Sequence, residues 1–301
     1  MSLLARVEKA LNRHVESALG QGAPKGLEDA VRHAVFSGGA RIRPQLCVAV
    51  AIACGDDAPE LTDAAATAVE LMHCASLVHD DMPAFDNAAT RRGQPTVHKA
   101  YGEPLALLCG DALIVMAYQV LTDAAVKRPQ RLAGLIKNLS QGVGLPHGIV
   151  AGQAWECETR ADLAQYQKSK TGALFVASVR AGALACGQDE QPWSLFGESL
   201  GHAYQVADDI RDVIGQSAAL GKPAGQDQLL GRPNAMAALG LEGALAHFEG
   251  LMNRAIQSVP QCACRDMLQH LVRLESQRLI PADLHPQVAA TRTSVAGALH
   301  R

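Results

Sequence analysis

Aromatic side chains are scarce in this sequence: five Phe, four Tyr and two Trp make up 4% of 301 residues. The core must therefore be aliphatic, and a hydrophobic content of 48% suffices to build a large one. Positive charge is not in excess either. Lys and Arg number 27 against 30 Asp and Glu, a formal net charge of −3, which leaves no electrostatic footprint for nucleic acid. No apolar run reaches the roughly 18–20 residues needed to cross a bilayer, so stable membrane insertion is not expected. No C-x-x-C pair occurs, and Cys262-x-Cys264 has no matching His or Cys cluster. The eight scattered cysteines read as small hydrophobes in a reducing cytoplasm. Alternating strand patterns, glycine-rich dinucleotide turns, low-complexity linkers and internal repeats are also missing.

What is present is helical periodicity. Apolar residues recur at three- and four-residue spacing around 27–36, 42–54, 61–82, 104–125, 130–143, 171–186, 194–214, 234–258 and 264–278. Turn signals separate them, among them Gly38-Gly39, Gly55-Asp56-Asp57, Arg92-Gly93-Gln94-Pro95 and Lys127-Arg128-Pro129. The first twenty residues mix Arg6, Glu8, Lys9, Arg13 and Glu16 with apolar positions at helical spacing, which predicts an amphipathic helix and not a signal peptide. The fold class is all-α, with residues 1–301 forming one domain. One long irregular stretch, 216–233, is rich in Gly and carries Lys222-Pro223; loops of that length are usually functional.

Two aspartate clusters break the apolar pattern, Asp80-Asp81-Met82-Pro83-Ala84-Phe85-Asp86 and Asp208-Asp209-Ile210-Arg211-Asp212. Clustered carboxylates repel, which raises their pKa values unless a cation intervenes. Two such clusters facing each other would form an oxygen-lined cage for a hard divalent ion, and Mg²⁺ favours a few carboxylates plus phosphate oxygens. On a helix over 61–82, His73, Ser76 or Leu77, and Asp80 share one face. Pro83 should end that helix near Met82. On an uninterrupted helix Asp86 would lie about 240° around from Asp80; a turn at Pro83 can return it beside Asp80. Asp208 and Asp212 are i, i+4 neighbours, with Gln205 one turn earlier. Basic residues accompany the clusters: Arg91-Arg92, Arg41-x-Arg43, Lys170 and Lys222 are candidate donors to phosphate oxygens.

Taken together and in order, these residues resemble the trans-isoprenyl diphosphate synthases, the farnesyl and geranylgeranyl diphosphate synthase family, and most closely the bacterial geranylgeranyl members. The resemblance rests on Gly38-Gly39-x-Arg41-x-Arg43-Pro44, His79-Asp80-Asp81-Met82-Pro83-x-x-Asp86, Arg91-Arg92-Gly93, Gly110-Asp111, Gly152-Gln153, Lys170-Thr171-Gly172, Gln205-x-x-Asp208-Asp209-x-x-Asp212 and Gly221-Lys222-Pro223 with Asp227. It implies a bundle of long helices around a deep central cavity, acting as a homodimer. It also implies head-to-tail condensation of isopentenyl diphosphate with an allylic diphosphate (dimethylallyl, geranyl or farnesyl), assisted by Mg²⁺, with three ions when diphosphate is bound.

By that resemblance Asp80, Asp81, Asp86, Asp208, Asp209 and Asp212 are the metal set. Arg91, Lys170 and Lys222 hold the allylic diphosphate. The Lys170 carbonyl, Thr171 hydroxyl and Gln205 oxygen favour the cation. Arg43, Arg92 and His73 hold isopentenyl diphosphate, with Arg41 nearby. Gln153 and Glu156 lie within the cavity, their roles open. Ala75 and Ser76 set chain length: where farnesyl synthases typically carry a large aromatic, Ala75 leaves room for a C20 product, with Met116 or Tyr118 as candidates to end the chain.

The pattern departs from the family in several places. Ala40 replaces a lysine that would grip isopentenyl diphosphate, Arg211 replaces leucine, Gln216 replaces aspartate, and Arg232 replaces lysine. The tail beyond Pro281 is poor in basic residues, with only Arg292 and Arg301. The competing readings are a farnesyl diphosphate synthase, a terpene cyclase, a head-to-head synthase and a non-catalytic partner subunit. A cyclase would want an aromatic-lined pocket, and a partner subunit would be expected to lose its aspartates.

Overall fold

The computed structural model describes residues 1–158, 168–214 and 235–280. Among these the regular structure is helical apart from an antiparallel hairpin of two-residue strands, β1 (Thr90–Arg91) with β2 (Gln94–Pro95). The helices are α1 (Leu3–Leu19), α2 (Lys25–Phe36), α3 (Ile42–Ala53), α4 (Pro59–Asp80), α5 (Val97–Tyr101), α6 (Glu103–Ala124), α7 (Pro129–Val143), α8 (Ile149–Ala154), α9 (Ala173–Ala185), α10 (Ser194–Ile214), α11 (Ala235–Ser258) and α12 (Arg265–Leu279).

Local chemistry explains several boundaries. Ser2 caps α1, its hydroxyl accepting from the Ala5 amide at 3.2 Å, and α1 buries Val7, Leu11 and Val15 along one face. Proline stands in the first turn of α4 and of α6, where no amide partner is lost. These two helices pack closely, because α4 carries Ala64, Ala65, Ala66 and Ala68 where a broader side chain would hold its neighbours away. One core is built on α4 and α6 with α1 and α2 against them; a second joins α3 and α9 to α10, α11 and α12. Burial pushes the thiols of Cys74 and Cys109 up to about 12, in keeping with cysteine as a small hydrophobe.

The structure adjusts several expectations. α4 stops at Asp80, two residues before Met82, with Asp81 as its C-cap. The predicted helix over 171–186 begins at Ala173, after a wide π turn at Lys168–Gly172. The predicted helix over 234–258 is broken at Gly240, whose φ of 66° an L side chain rarely adopts. The expectation of no membrane-length apolar run is also corrected. Glu103–Lys127 is long and apolar enough by length and composition to cross a bilayer, and 44% of an 18-residue window within it is buried inside the fold. Its isolated charges conceal an apolar average, the property of a core helix packed on α4.

Candidate active site

Between the two cores lies a cavity of about 610 Å³, and residues from both aspartate clusters line it. After Asp80 the chain turns through Pro83 and folds back: the Asp86 amide donates to the Asp80 carbonyl at 3.0 Å, and the Ala88 amide to the Asp81 carbonyl at 3.1 Å. Pro83 breaks the helix, and the break returns Asp86 to Asp80. Carboxylate oxygens of Asp80, Asp86 and Glu156 all lie within 4.8 Å of one another. Glu156 comes from a single turn after α8, at Trp155–Cys157. Gln153, in α8 itself, donates to the Ser76 carbonyl at 3.0 Å and to Asp80 Oδ1 at 3.4 Å. Three carboxylates so close form an all-oxygen donor set suited to a hard cation.

Asp81, expected in the same set, points elsewhere. Arg91 Nε donates to its two oxygens at 3.0 and 2.9 Å, and Arg91 Nη2 pairs with it as well. Burial opposes the charge on Arg91, but Asp81, with Asp80 and Asp86 behind it, holds the guanidinium above its ordinary pKa. Arg91 still lines the cavity, so it binds Asp81 from within the site.

In the second cluster Asp208, Arg211 and Asp212 line the cavity. Asp209, expected as a further ligand, is buried and structural. It accepts from Gln205 Nε2 at 2.8 Å and from the Ala235 amide at 2.7 Å, tying the start of α11 to α10. Gln205 is not among the lining residues; its Oε1 accepts the Thr171 hydroxyl at 2.6 Å, while Thr171 does line the cavity. The oxygen expected to face a cation is thus occupied in orienting Thr171. Lys170 has its backbone in the π turn, and its side chain lies outside the described residues. Gln216, Lys222, Asp227, Arg232 and the tail from Pro281 lie outside them too.

The basic side of the cavity holds Arg43, His73 and Arg92, with Ala40 beside them. Arg43 lies over the Phe175 ring at 4.6 Å and donates to His73 Nε2 at 3.3 Å. Burial, then the charges of Arg43, Arg92, Arg91 and Arg41, push the His73 pKa well below its usual value, so the ring is neutral and accepts from Arg43. Arg92 donates to the Gly38 carbonyl and lies across Gly39. Gly39 has a φ of 125°, which an L side chain rarely adopts, and a Cβ there would also press on the Arg92 guanidinium at 2.6 Å, so glycine is favoured. Arg41 does not serve as a free donor. Its Nε donates to Glu8 at 2.9 Å, Nη1 to Glu70 at 2.7 Å and Nη2 to the Val35 carbonyl at 2.5 Å, so it clamps α1, α2 and α4 together with its side chain 1% exposed.

Ser76 and Leu77 line the cavity below Asp80, whereas Ala75 is buried in the core and does not. Of the suggested chain stops, Met116 is buried, and the Tyr118 hydroxyl lies 3.0 Å from Ser140 Oγ. Among the lining residues that carried no motif, Tyr204 donates to Glu275 at 2.5 Å and Arg278 donates to the Tyr204 hydroxyl at 3.0 Å. They meet across the chain, one from α10 and one from α12, which packs against α11 and α3. Glu156 had a local signal in Gln153-x-x-Glu156, but nothing in the sequence placed it against Asp80.

Residues 24–273 match the family described as Polyprenyl synthetase. The chain is 49% identical over 288 residues to a geranylgeranyl diphosphate synthase of Cereibacter sphaeroides, covering 96% of this chain and all of that one. Among solved structures, an FPP/GFPP synthase from Zymomonas mobilis superposes with a TM-score of 0.78 at 30% identity, covering 91% of this chain and 98% of the other. A Helicobacter pylori geranyltransferase complexed with magnesium and isoprenyl diphosphate gives a TM-score of 0.76 at 29% identity, covering 91% and 97%.

Proposed function

The chain belongs to the polyprenyl synthetase family, and from that premise we propose that it is a prenyltransferase condensing isopentenyl diphosphate head-to-tail with dimethylallyl, geranyl and farnesyl diphosphates to give geranylgeranyl diphosphate. The observation that carries this reading is a single cavity lined both by carboxylates from two distant segments and by the Arg43, His73 and Arg92 group. One diphosphate needs a cation bridge to carboxylates; the other can be held directly by guanidinium.

The oxygen donors of Asp80, Asp86 and Glu156, with Asp208 and Asp212, fit Mg²⁺, and we assign them to hold it, with three ions in the diphosphate complex. When bound, Mg²⁺ supplies Lewis-acid stabilisation of the departing diphosphate. The protein's own groups do the rest. In the reaction the allylic C–O bond breaks with its electron pair passing to the diphosphate oxygen. The double bond of isopentenyl diphosphate then bonds to the freed allylic carbon, and a proton passes to the departing diphosphate. Thr171 presents its oxygen to the cation, and Gln205 fixes that oxygen's position. Lys170 and Lys222 are assigned to the allylic diphosphate by the family resemblance. Arg43 and Arg92 hold the homoallylic diphosphate, with neutral His73 as a hydrogen-bonding partner.

A cyclase reading is disfavoured by the lining, in which Tyr204 is the one aromatic among the described residues apart from His73. The reading includes a homodimer in a reducing cytoplasm. Its support is an apolar strip on α6, where Leu107, Leu108 and Val115 are all exposed at 49, 51 and 65%. The test is incubation of the purified protein with isopentenyl diphosphate, labelled dimethylallyl diphosphate and Mg²⁺, with chromatographic sizing of the product. The expected product is C20. A C15 end point would make it a farnesyl synthase, diphosphate release without elongation a cyclase, and no turnover a partner subunit.

A further inference from the structure

Among the described residues six arginines belong to the cavity lining: Arg41, Arg43, Arg91, Arg92, Arg211 and Arg278. Five of them have partners that a bound metal would leave alone. Arg41 is held by Glu8 and Glu70, Arg91 by Asp81, Arg92 by the Gly38 carbonyl, and Arg278 by Glu275 and Tyr204; Arg43 lies on Phe175 beside His73. Arg211 is different. Among the described residues its one carboxylate partner is Asp208 Oδ1, one helical turn earlier, and its one other hydrogen bond is from Nε to the Ala207 carbonyl at 3.3 Å. Asp208 is itself assigned above to the metal. The guanidinium and the metal would therefore compete for the same carboxylate.

We propose that Arg211 is an exchangeable counter-ion: it neutralises Asp208 in the metal-free protein and, displaced when Mg²⁺ arrives, donates to the allylic diphosphate. The inference rests on the prenyl diphosphate reading of the site. The pair is easily exchanged, since the Asp208 side chain is 58% exposed and the Arg211 side chain 28% exposed, and exposed ion pairs contribute little. The freed group already faces the cavity and offers several N–H donors in a fork matched to phosphate oxygens. Leucine at this position could neither shield Asp208 nor contact the ligand. The metal would then bind more readily without substrate, and the diphosphate less tightly.

Calorimetric titration of the full chain separates the two effects without turnover. In Arg211→Leu, Mg²⁺ alone should bind up to about fivefold more tightly, the size of one exposed ion pair. Inorganic pyrophosphate at saturating Mg²⁺ should bind the same variant about tenfold more weakly, the size of one charge-assisted hydrogen bond. Arg211→Lys, which keeps the charge, should recover most of the pyrophosphate affinity. Unchanged or tighter pyrophosphate binding in Arg211→Leu, with the wild type binding normally, overturns the donor role. Unchanged or weaker Mg²⁺ binding overturns the competition. A wild-type protein that binds no pyrophosphate in Mg²⁺ would overturn the prenyl diphosphate reading together with this inference.

Discussion

At the scale of single residues, burial and pairing decide which charges serve the site. Asp81 and Asp209 sit in the motifs beside Asp80 and Asp208, yet each is satisfied by protein donors, Arg91 in one case and Gln205 with the Ala235 amide in the other. Asp80→Ala and Asp208→Ala are each expected to lower turnover by at least about 100-fold with the fold intact, as judged by steady-state rate and far-ultraviolet dichroism. A near-normal rate for Asp208→Ala would remove the second cluster from the metal set. Ala40 and Arg41 form a linked case. Because Arg41 is locked into Glu8, Glu70 and Val35, it cannot reorient to stand in for a lysine at position 40. Ala40→Lys should lower KM for isopentenyl diphosphate by up to about tenfold and leave the allylic KM unchanged. His14 supplies a pH test away from the site. Burial first, then the charge of Arg13, lowers its pKa to about 4, against the opposing charge of Asp123, and its Nδ1 lies 3.2 Å from Thr67 Oγ1. The unfolded chain, with a pKa of 6.5, binds the extra proton between pH 6.5 and about 4, so stability present above 6.5 is lost as pH falls through that window. His14→Gln should recover roughly 2–4 °C of the acid-induced drop in Tm, measured by calorimetry at pH 7 and pH 4.5. An identical drop in the variant would mean that other groups carry the effect.

At the scale of elements, the α4–α6 seam is where product length should be set. Below Asp80, Ser76 and Leu77 line the cavity while Cys74 and Ala75 put small side chains into the core. A growing prenyl chain entering here must part that seam, and each methylene it buries gains about 0.8 kcal/mol. Ala75→Phe is therefore expected to shift the main product from C20 to C15. It should also lower stability by about 1–3 kcal/mol, because position 75 is closely packed. Product sizing and a denaturant melt on the same variant give both values. A destabilised variant still making C20 would show that the chain takes another path. The turn after α4 shows how one proline organises an element boundary: without Pro83 the helix would carry Asp86 away from Asp80, and the backbone bond from Asp86 to the Asp80 carbonyl would not form.

At the scale of the whole molecule, α6 has one face in the core and another exposed, and the exposed strip of Leu107, Leu108 and Val115 is the expected contact with a second copy. Leu108→Glu combined with Val115→Glu should convert a dimer to a monomer in sedimentation equilibrium, from twice the 31.7 kDa chain mass to once. A wild type already at the single-chain mass would refute the dimer. The helical class, the extent of most helices and both aspartate clusters were legible in the sequence, because each rests on local rules: periodicity, turn residues, and the cost of unpaired carboxylates. The sequence by itself also determined that Pro83 would end the helix, since its ring admits no regular helix interior. The return of Asp86 to Asp80, which that break allows, is seen in the folded backbone. Only the tertiary structure decided that Glu156 joins Asp80 and Asp86, that Arg41 clamps three helices, that Tyr204 and Arg278 reach the cavity, and that Asp81 and Asp209 are taken up by protein donors and lie outside its lining. Each of those outcomes depends on which helix lies opposite. A motif states the donors a segment can offer; the neighbours packed against it determine which of them are already taken.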